Sequence, residues 1–264
     1  MAAAMIHAGH RKSDTAPPTL IERDNSVKRD YSPVLPGDGD TDYARYMRTD
    51  ELLDLQRRPA DVIHRDELLF QVVHQSAELW LKLAAADLTE AAARVEADEP
   101  AAAELMVTRA ALGIRFLTDQ LEMFRYLNPV DFQAMQPAFG NGSGAESPGW
   151  KQAQAASRQL GRAFTELLAA RQVDLGKLYL GEPADPLYRL AEAMTDWDER
   201  VNLWRERHYK VAIRIGGHAN AGTPGSKANM LAKLMGYRFF PELWQVRVGL
   251  GRAPEPAENP AGEI

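Results

Sequence analysis

The chain has 264 residues, a formal net charge of −6 and no cysteine. The absence of cysteine excludes disulfides, thiolate-ligated haem, cysteine-held iron–sulfur clusters and cysteine nucleophiles. The acidic balance disfavours a general nucleic-acid-binding role. We find neither an apolar run of membrane-spanning length nor a signal peptide, so the sequence predicts a cytoplasmic protein without membrane or nucleic-acid partners.

Helical patterns account for most of the chain, and we find no convincing strand pairs. Residues 1–40 are polar and proline-rich and predict a flexible arm, 41–250 a single all-α domain, and 251–264 a flexible tail. Helices are predicted around 43–55, over 66–97, from 100 to near 128, over 150–172, over 197–215 and over 227–236. The glycine-rich stretches 137–149 and 216–226 predict loops. The fold class is therefore all-α, a helical bundle with its ligand site between facing helices.

One stripe of the 197–215 helix carries a histidine among apolar residues. Spacings of four and three place these residues on one face: Trp197, Val201, Trp204, His208, Val211 and Ile215. His208 therefore points inwards, and the neighbouring charges, Arg205 among them, point mainly away or towards an anionic ligand. We expect Asp196, Asp198 and Glu199 to place favourable negative charge in the first turn of this helix. His208 is either a core histidine bonded to a carbonyl or a metal ligand.

A second helix repeats this arrangement. Phe70, His74, Ala77 and Leu81 share one face of the 66–97 helix, so a second imidazole lies in a mostly apolar stripe. Two such histidines favour the metal-ligand interpretation of His208. The glycines of 137–149 allow a ligand to approach the backbone closely, but no Gly-Lys-Ser/Thr follows, so this is not a phosphate-binding loop.

Several segments together resemble the tryptophan 2,3-dioxygenase superfamily of histidine-ligated haem oxygenases. They are Tyr43–Met47 with Leu52–Gln56, the long stretch Asp66–Leu83, Leu203–His208, Gly222–Ser226 and Phe239–Arg247. The resemblance implies haem b and dioxygen as cofactor and co-substrate. It also implies an intertwined homotetramer, a dimer of dimers, with haem between helices.

The resemblance also assigns roles to individual residues. His208 matches the axial ligand of the haem iron, and His74 the distal histidine over the indole nitrogen of the substrate. Arg205 and Arg207 are candidates to meet the haem propionates. The remaining matches are substrate-binding positions: Phe70, Phe139 and Ser143 in the distal pocket, Tyr43 and Tyr46 lent by a neighbouring subunit, and Thr223 for the amino and carboxylate groups of the substrate.

The chain also departs from the family. In the register set by His74, the family's carboxylate-binding arginine falls on Gln136 and its pocket tyrosine on Phe132. An amide lacks the charge with which a guanidinium clamps a carboxylate. The stretch between the 137–149 loop and the His208 helix is markedly shorter than in the family. These departures predict a specialised member of secondary metabolism.

We therefore expect a haem-dependent oxygenase that oxidises carbon 2 of the indole of L-tryptophan or a modified tryptophan, such as a methyltryptophan. The favoured outcome is monooxygenation to a 2-oxindole, with an external reductant such as ascorbate. The alternative is ring opening to N-formylkynurenine. A tyrosine hydroxylase, a non-catalytic haem sensor and a purely structural bundle are further hypotheses. Retention of His74 and Phe70 favours indole over phenol.

Overall fold

A computed structural model describes residues 37–217 and 227–251, and all regular structure in these two ranges is helical. The helices in chain order are α1 Asp42–Met47, α2 Thr49–Asp54, α3 Glu67–Glu96, α4 Pro100–Gln120, α5 Pro129–Phe139, α6 Pro148–Ala170, α7 Leu175–Tyr179, α8 Pro186–Gly216, α9 Lys227–Leu234 and α10 Pro241–Leu250. A 3₁₀ turn, Leu121–Tyr126, links α4 to α5. The all-α prediction is confirmed. No described helix has the length and apolar character needed to span a membrane.

The chain divides into two compact units, Met1–Asp54 and Leu55–Ile264. The described part of the first unit consists of α1 and α2, which have no buried residues. The second unit contains α3 to α10. The predicted boundaries of the arm, the domain and the tail stay predictions, because most of the arm and tail lies outside the described residues.

Four long helices build the second unit. Helix α3 packs against α4 and α6, and α4 packs against α8. Large residues such as Leu88, Ile114 and Leu160 are completely buried between them. Alanines fill much of the same core, including Ala91 and Ala103, and their small side chains let the helix axes approach closely. The bundle is thus a rigid frame for side chains that point from α3 and α8.

Helix α5 was not predicted from the sequence, and the predicted 137–149 loop is wrong at both ends. Pro129 occupies the first turn of α5, where a missing N–H costs nothing, and the Asn128 side chain accepts a hydrogen bond from Val130 N at 2.9 Å. The helix continues through Pro137 to Phe139. Helix α6 already begins at Pro148. Only the segment between these two helices is irregular or 3₁₀.

Helix α8 begins earlier than the sequence suggested. Pro186 starts it and Asp185 caps it, so Asp196, Asp198 and Glu199 lie in its middle and not in its first turn. The helix-dipole interpretation of these three acidic residues is therefore wrong. Asp198 is 1% exposed, and it accepts hydrogen bonds from Phe239 N at 2.8 Å and Phe240 N at 3.0 Å. It ties the start of α10 to the bundle.

The start of α6 lies directly against α3. Glu78 of α3 accepts hydrogen bonds from the Ser147 hydroxyl and from Gly149 N, the latter at 2.8 Å. A β-carbon added at Gly149 would lie 2.7 Å from both Glu78 Oε2 and Leu81 Cβ. Only glycine therefore allows α6 to begin this close to α3.

Gly149→Ala is expected to lower the free energy of unfolding by about 1–3 kcal/mol, because the added methyl overpacks this contact. Urea unfolding of the two proteins measures the difference. Gly144→Ala is the matched control, since a β-carbon there meets nothing within 4 Å. Equal stability of Gly149→Ala and the parent chain would contradict the close packing of α6 on α3.

Candidate functional site

The candidate site borders a second apolar cluster, separate from the main core. Its members come from α3, the 3₁₀ turn, α5 and α8, so four elements converge there. The buried members are Val73, Leu121, Phe124, Leu127, Met135, Val211 and Ile215, and the partly buried ones are Leu69, Phe70, Phe132, Phe139 and Trp204. His74 and His208 contact aromatic members of this cluster. The structure thus brings together the two histidines that the sequence singled out.

The imidazole of His74 is held in one tautomer. Its Nδ1 lies 2.8 Å from the backbone oxygen of Phe70. Because a carbonyl only accepts hydrogen bonds, Nδ1 carries the proton and donates it, which leaves the Nε2 lone pair as an acceptor. Although the His74 side chain is exposed at one side, the protein around it desolvates the imidazole and lowers its pKa, against the opposing effects of the Phe70 carbonyl and the charge of Glu78. At neutral pH His74 is therefore a neutral, oriented hydrogen-bond acceptor.

Phenylalanine rings form a cage beside His74. Phe70 stacks on the imidazole at 4.1 Å between ring centroids and on Phe139 at 4.2 Å. Phe132 lies 6.2 Å from Phe70, and Phe124 lies 5.8 Å from Phe70 and 5.9 Å from His74. Phe124 was missed as a site residue, because only the turn after α4 directs it back towards α3. The cage suits a flat aromatic ligand with an N–H group for His74.

His208 lies in a dry, aromatic environment. Its ring centroid is 4.8 Å from that of Trp204, and its Nδ1 is buried without a hydrogen-bond partner among the described residues. Desolvation, helped by the charge of nearby His74, lowers the pKa of His208 to about 4. The inward orientation predicted from the apolar stripe is confirmed. The alternative, a core histidine bonded to a carbonyl, is not supported at Nδ1, because no described carbonyl accepts a hydrogen bond from this atom.

The low pKa of His208 makes stability depend on pH. The unfolded chain binds a proton near the ordinary pKa of 6.5, whereas the folded chain resists protonation down to about 4. Stability is therefore complete above the unfolded pKa and falls as pH decreases through this window, by roughly 3 kcal/mol for a shift of this size. Urea unfolding of the apoprotein across the window measures the slope. His208→Phe is expected to flatten it, and an unchanged slope in that variant would contradict the assignment.

These residues fit a haem held through His208. A metal-binding imidazole must be neutral, and His208 is neutral at physiological pH. Its Nδ1 is a buried polar atom that no described residue pairs, and it lies beside an apolar, aromatic surface suited to a flat hydrophobic macrocycle. His74 projects from α3 beside the same cluster, so both imidazoles border one apolar site.

Arg205 and Arg207, the two arginines just before His208, differ in their contacts. Arg205 was predicted to point away from the protein or towards an anionic ligand, but it is only 5% exposed. It donates to the Tyr237 carbonyl at 2.9 Å and to Asn202 Oδ1 at 3.3 Å, so it fixes the segment before α10 and is not free for a propionate. Arg207 pairs with Glu122 of the 3₁₀ turn, and its Nε is buried without a partner among the described residues. A propionate contact stays a prediction for Arg207 alone.

The remaining predicted positions differ in their relation to the cage. Gln136 lies one helical turn after Phe132 on α5, and its side chain is exposed. Ser143 is also exposed, and it caps the short 3₁₀ turn Gly144–Glu146. Tyr43 and Tyr46 lie on α1 of the first unit and are 68% and 61% exposed. Thr223 lies outside the described residues, so its predicted role stays a prediction.

Fold and site together define an all-helical protein with two neutral histidines at an aromatic site, suited to bind haem. Residues 32–161 match the family model described as tryptophan 2,3-dioxygenase. A tryptophan 2,3-dioxygenase from Polaromonas sp. strain JS666 is 30% identical, over 89% of this chain and 95% of the relative. The chain belongs to the tryptophan 2,3-dioxygenase family, whose members are haem-dependent oxygenases, and it is an oxidoreductase of that class.

Other relatives give the same result. A tryptophan 2,3-dioxygenase from Myxococcus xanthus is 29% identical, over 88% of this chain and 98% of the relative. One from Xanthomonas oryzae pv. oryzae is 26% identical, over 88% and 96%. The alignment to the Polaromonas protein runs over 288 positions, more than the 264 residues of this chain. The relative therefore contains residues that have no counterpart here.

Proposed function

We propose that the protein is a tryptophan 2,3-dioxygenase, which uses haem b and dioxygen to open the indole ring of L-tryptophan to N-formylkynurenine. The observation that carries this proposal is the fixed tautomer of His74, whose free Nε2 lies beside a cage suited to an indole. The similarity to tryptophan 2,3-dioxygenases supports ring opening. It does not support the 2-oxindole outcome that the departures from the family pattern favoured.

In the proposed reaction, haem bound at His208 supplies the iron at which dioxygen is activated. The protein's own residues bind and orient the substrate. His74 Nε2 accepts the indole N–H, and the phenylalanine side chains beside His74 provide the apolar surface against which the indole packs. The lowered pKa of His74 favours its neutral form, so His74 acts by accepting the indole N–H and positioning the ring.

Turnover of L-tryptophan by the haem-loaded ferrous protein tests the proposal, with the product identified by chromatography against N-formylkynurenine and 2-oxindole standards. His74→Phe retains the ring but removes the acceptor. It is expected to lower kcat/KM by about tenfold or more, since a lost positioning hydrogen bond misaligns the reacting atoms. Loss of haem from this variant, or unchanged turnover, would contradict the role given to His74.

Monooxygenation to a 2-oxindole is the second candidate, and Gln136 is the residue that favours it. Gln136 stands where the family arginine is expected, so the substrate carboxylate lacks its charged partner there. A different substrate pose changes whether the second oxygen atom is transferred to the indole. Gln136→Arg is a direct probe: a lower KM for L-tryptophan with N-formylkynurenine as product supports the dioxygenase pose.

We also propose a cytoplasmic homotetramer in which a neighbouring subunit lends Tyr43 and Tyr46. Support comes from an exposed apolar face on the bundle, larger than single scattered residues require. Its members on α3 are Leu68, Val72, Leu79 and Leu83, and on α4 Leu105, Leu112 and Phe116. Light scattering coupled to size exclusion measures the assembly, and a monomer at micromolar concentration would contradict the proposal.

A further inference from the structure

Gln136 lies on the cage side of α5, between two of the cage phenylalanines. Spacings of four and three residues place Phe132, Gln136 and Phe139 along one stripe of this helix. Phe132 and Phe139 are partly buried members of the second apolar cluster, and their ring centroids are 6.1 Å apart. Gln136 itself is exposed. Its amide is therefore carried at the solvent-facing rim of the cage.

The charged groups near this rim do not favour a free carboxylate. Helix α5 contains no lysine, arginine or histidine, and its one ionisable side chain is Asp131. Glu78 of α3 lies close enough to the imidazole on the same helix for its charge to act on it. Arg125 of the 3₁₀ turn and Arg207 of α8 both pair with Glu122. Because like charges repel, a carboxylate at this rim is held less well than an uncharged group of the same shape.

An amide side chain pairs more completely with another amide than with a carboxylate. The Gln136 amide offers one accepting oxygen and two N–H donors. A carboxamide or a peptide group placed opposite it both accepts and donates, so two hydrogen bonds form. A carboxylate only accepts, which leaves the Gln136 oxygen without a partner from the substrate.

We propose that the site prefers tryptophan whose carboxyl group is in amide linkage, and that Gln136 is the residue that recognises this amide. Free L-tryptophan is then the poorer of the two substrates. The inference rests on the proposed function, because the ring that is opened is still the indole held by His74. It adds the chemical class of the other end of the substrate.

The position of Gln136 leaves room for such a substrate. The indole N–H, which His74 Nε2 accepts, and the carboxyl group lie at opposite ends of tryptophan. Because Gln136 is exposed, a group attached to that carboxyl extends outwards from the rim and not into the apolar cluster. Both a small carboxamide and a peptide-linked tryptophan share the chemistry that Gln136 recognises.

The test compares kcat/KM of the haem-loaded ferrous protein for L-tryptophan, its methyl ester, L-tryptophanamide and L-tryptophylglycinamide. The amides are expected to exceed the free acid by about tenfold, because two hydrogen bonds form and the repulsion is removed. The ester is uncharged but only accepts, so it is expected to lie between them. Whichever amide gives the larger value distinguishes a peptide-linked tryptophan from a small carboxamide.

Variants of two glutamines on α5 make the comparison specific. Gln136→Ala is expected to reduce the preference for the amides to that for the ester, mainly through KM, and Gln136→Arg is expected to reverse it in favour of the free acid. Gln133→Ala removes another exposed glutamine on a different face of α5 and is the matched control, expected to keep the parental ratio. The substrates also differ in the basicity of their amino groups, and comparing ratios between variants cancels that difference.

Calorimetric titration of the ferric haem-loaded protein with the same compounds gives a second readout, which does not depend on turnover. The order of affinities is expected to follow the order of kcat/KM. Tighter binding of the free acid than of the amides by the parent protein would overturn the inference, as would an amide preference that is unchanged in Gln136→Ala. Absence of a formylkynurenine-type product from every compound would instead contradict the proposed function, while the affinities would still test the inference.

Discussion

Replacing His208 with alanine is expected to abolish stable haem binding. The His208 imidazole is neutral because its apolar surroundings lower its pKa, so its nitrogen is available as a ligand for iron. The chain has no cysteine that could replace it. Losing an outer partner of a metal ligand costs about 10–100-fold in affinity, so losing the ligand itself is expected to cost about a hundredfold or more. Titration of the apoprotein with haem, followed by absorption, measures the change.

Two controls make the His208→Ala result specific. His64→Ala removes another partly buried histidine, one that pairs with Asp66 and Asp131 and not with the cage, and is expected to bind haem normally. Added imidazole is expected to restore the haem spectrum of His208→Ala by entering the space that the side chain leaves. Normal haem affinity in His208→Ala without imidazole would show that another residue holds the iron.

Replacing Asp198 with alanine is expected to cause a large loss of stability, greater than that of Gly149→Ala. The carboxylate accepts hydrogen bonds from Phe239 N, Phe240 N and Trp244 Nε1. Arg205, itself buried, lies within the field of the same carboxylate. Alanine leaves these donors and that cation without the carboxylate, which costs about 3–5 kcal/mol. Urea unfolding monitored by circular dichroism measures the loss.

Asp196→Ala is the matched control for Asp198→Ala. Asp196 lies two residues earlier on α8, where it pairs with Arg200 at 3.2 Å and its side chain is 42% exposed. Its removal is expected to change stability by less than about 0.5 kcal/mol. Asp198→Asn keeps one acceptor oxygen and is expected to fall between the two. Similar losses in Asp198→Ala and Asp196→Ala would contradict the role of Asp198 as a buried anchor.

Much of the bundle can be read from periodicity, because the apolar stripes are long. The stripe from Trp197 to Ile215 correctly predicts the inward face of α8, and the prolonged pattern after Asp66 predicts α3 to within a residue at each end. Prolines caused the errors. Pro129, Pro148 and Pro186 each start a helix, although such positions were predicted to limit helices or to lie in loops.

The candidate site was predicted in part, and the missing part depends on tertiary contacts. His74, Phe70 and His208 follow from spacing on their own helices. Phe132 and Phe139 entered through the family resemblance, because nothing local shows that α5 packs beside α3. The buried position of Arg205 was not predicted for the same reason: its partner, the Tyr237 carbonyl, lies 32 residues away. The charge of an arginine does not show from sequence alone that a distant carbonyl will bind it inside the protein.

The most direct test of the proposed function is the number of atoms from dioxygen that are found in the product. The ferrous haem-loaded protein is given L-tryptophan and isotopically labelled dioxygen, with and without ascorbate, and the product mass is measured by mass spectrometry. Dioxygenation predicts two labelled oxygens in one N-formylkynurenine molecule, with no ascorbate consumed per turnover. A single labelled oxygen in a 2-oxindole, formed in proportion to ascorbate, would contradict it and establish monooxygenation.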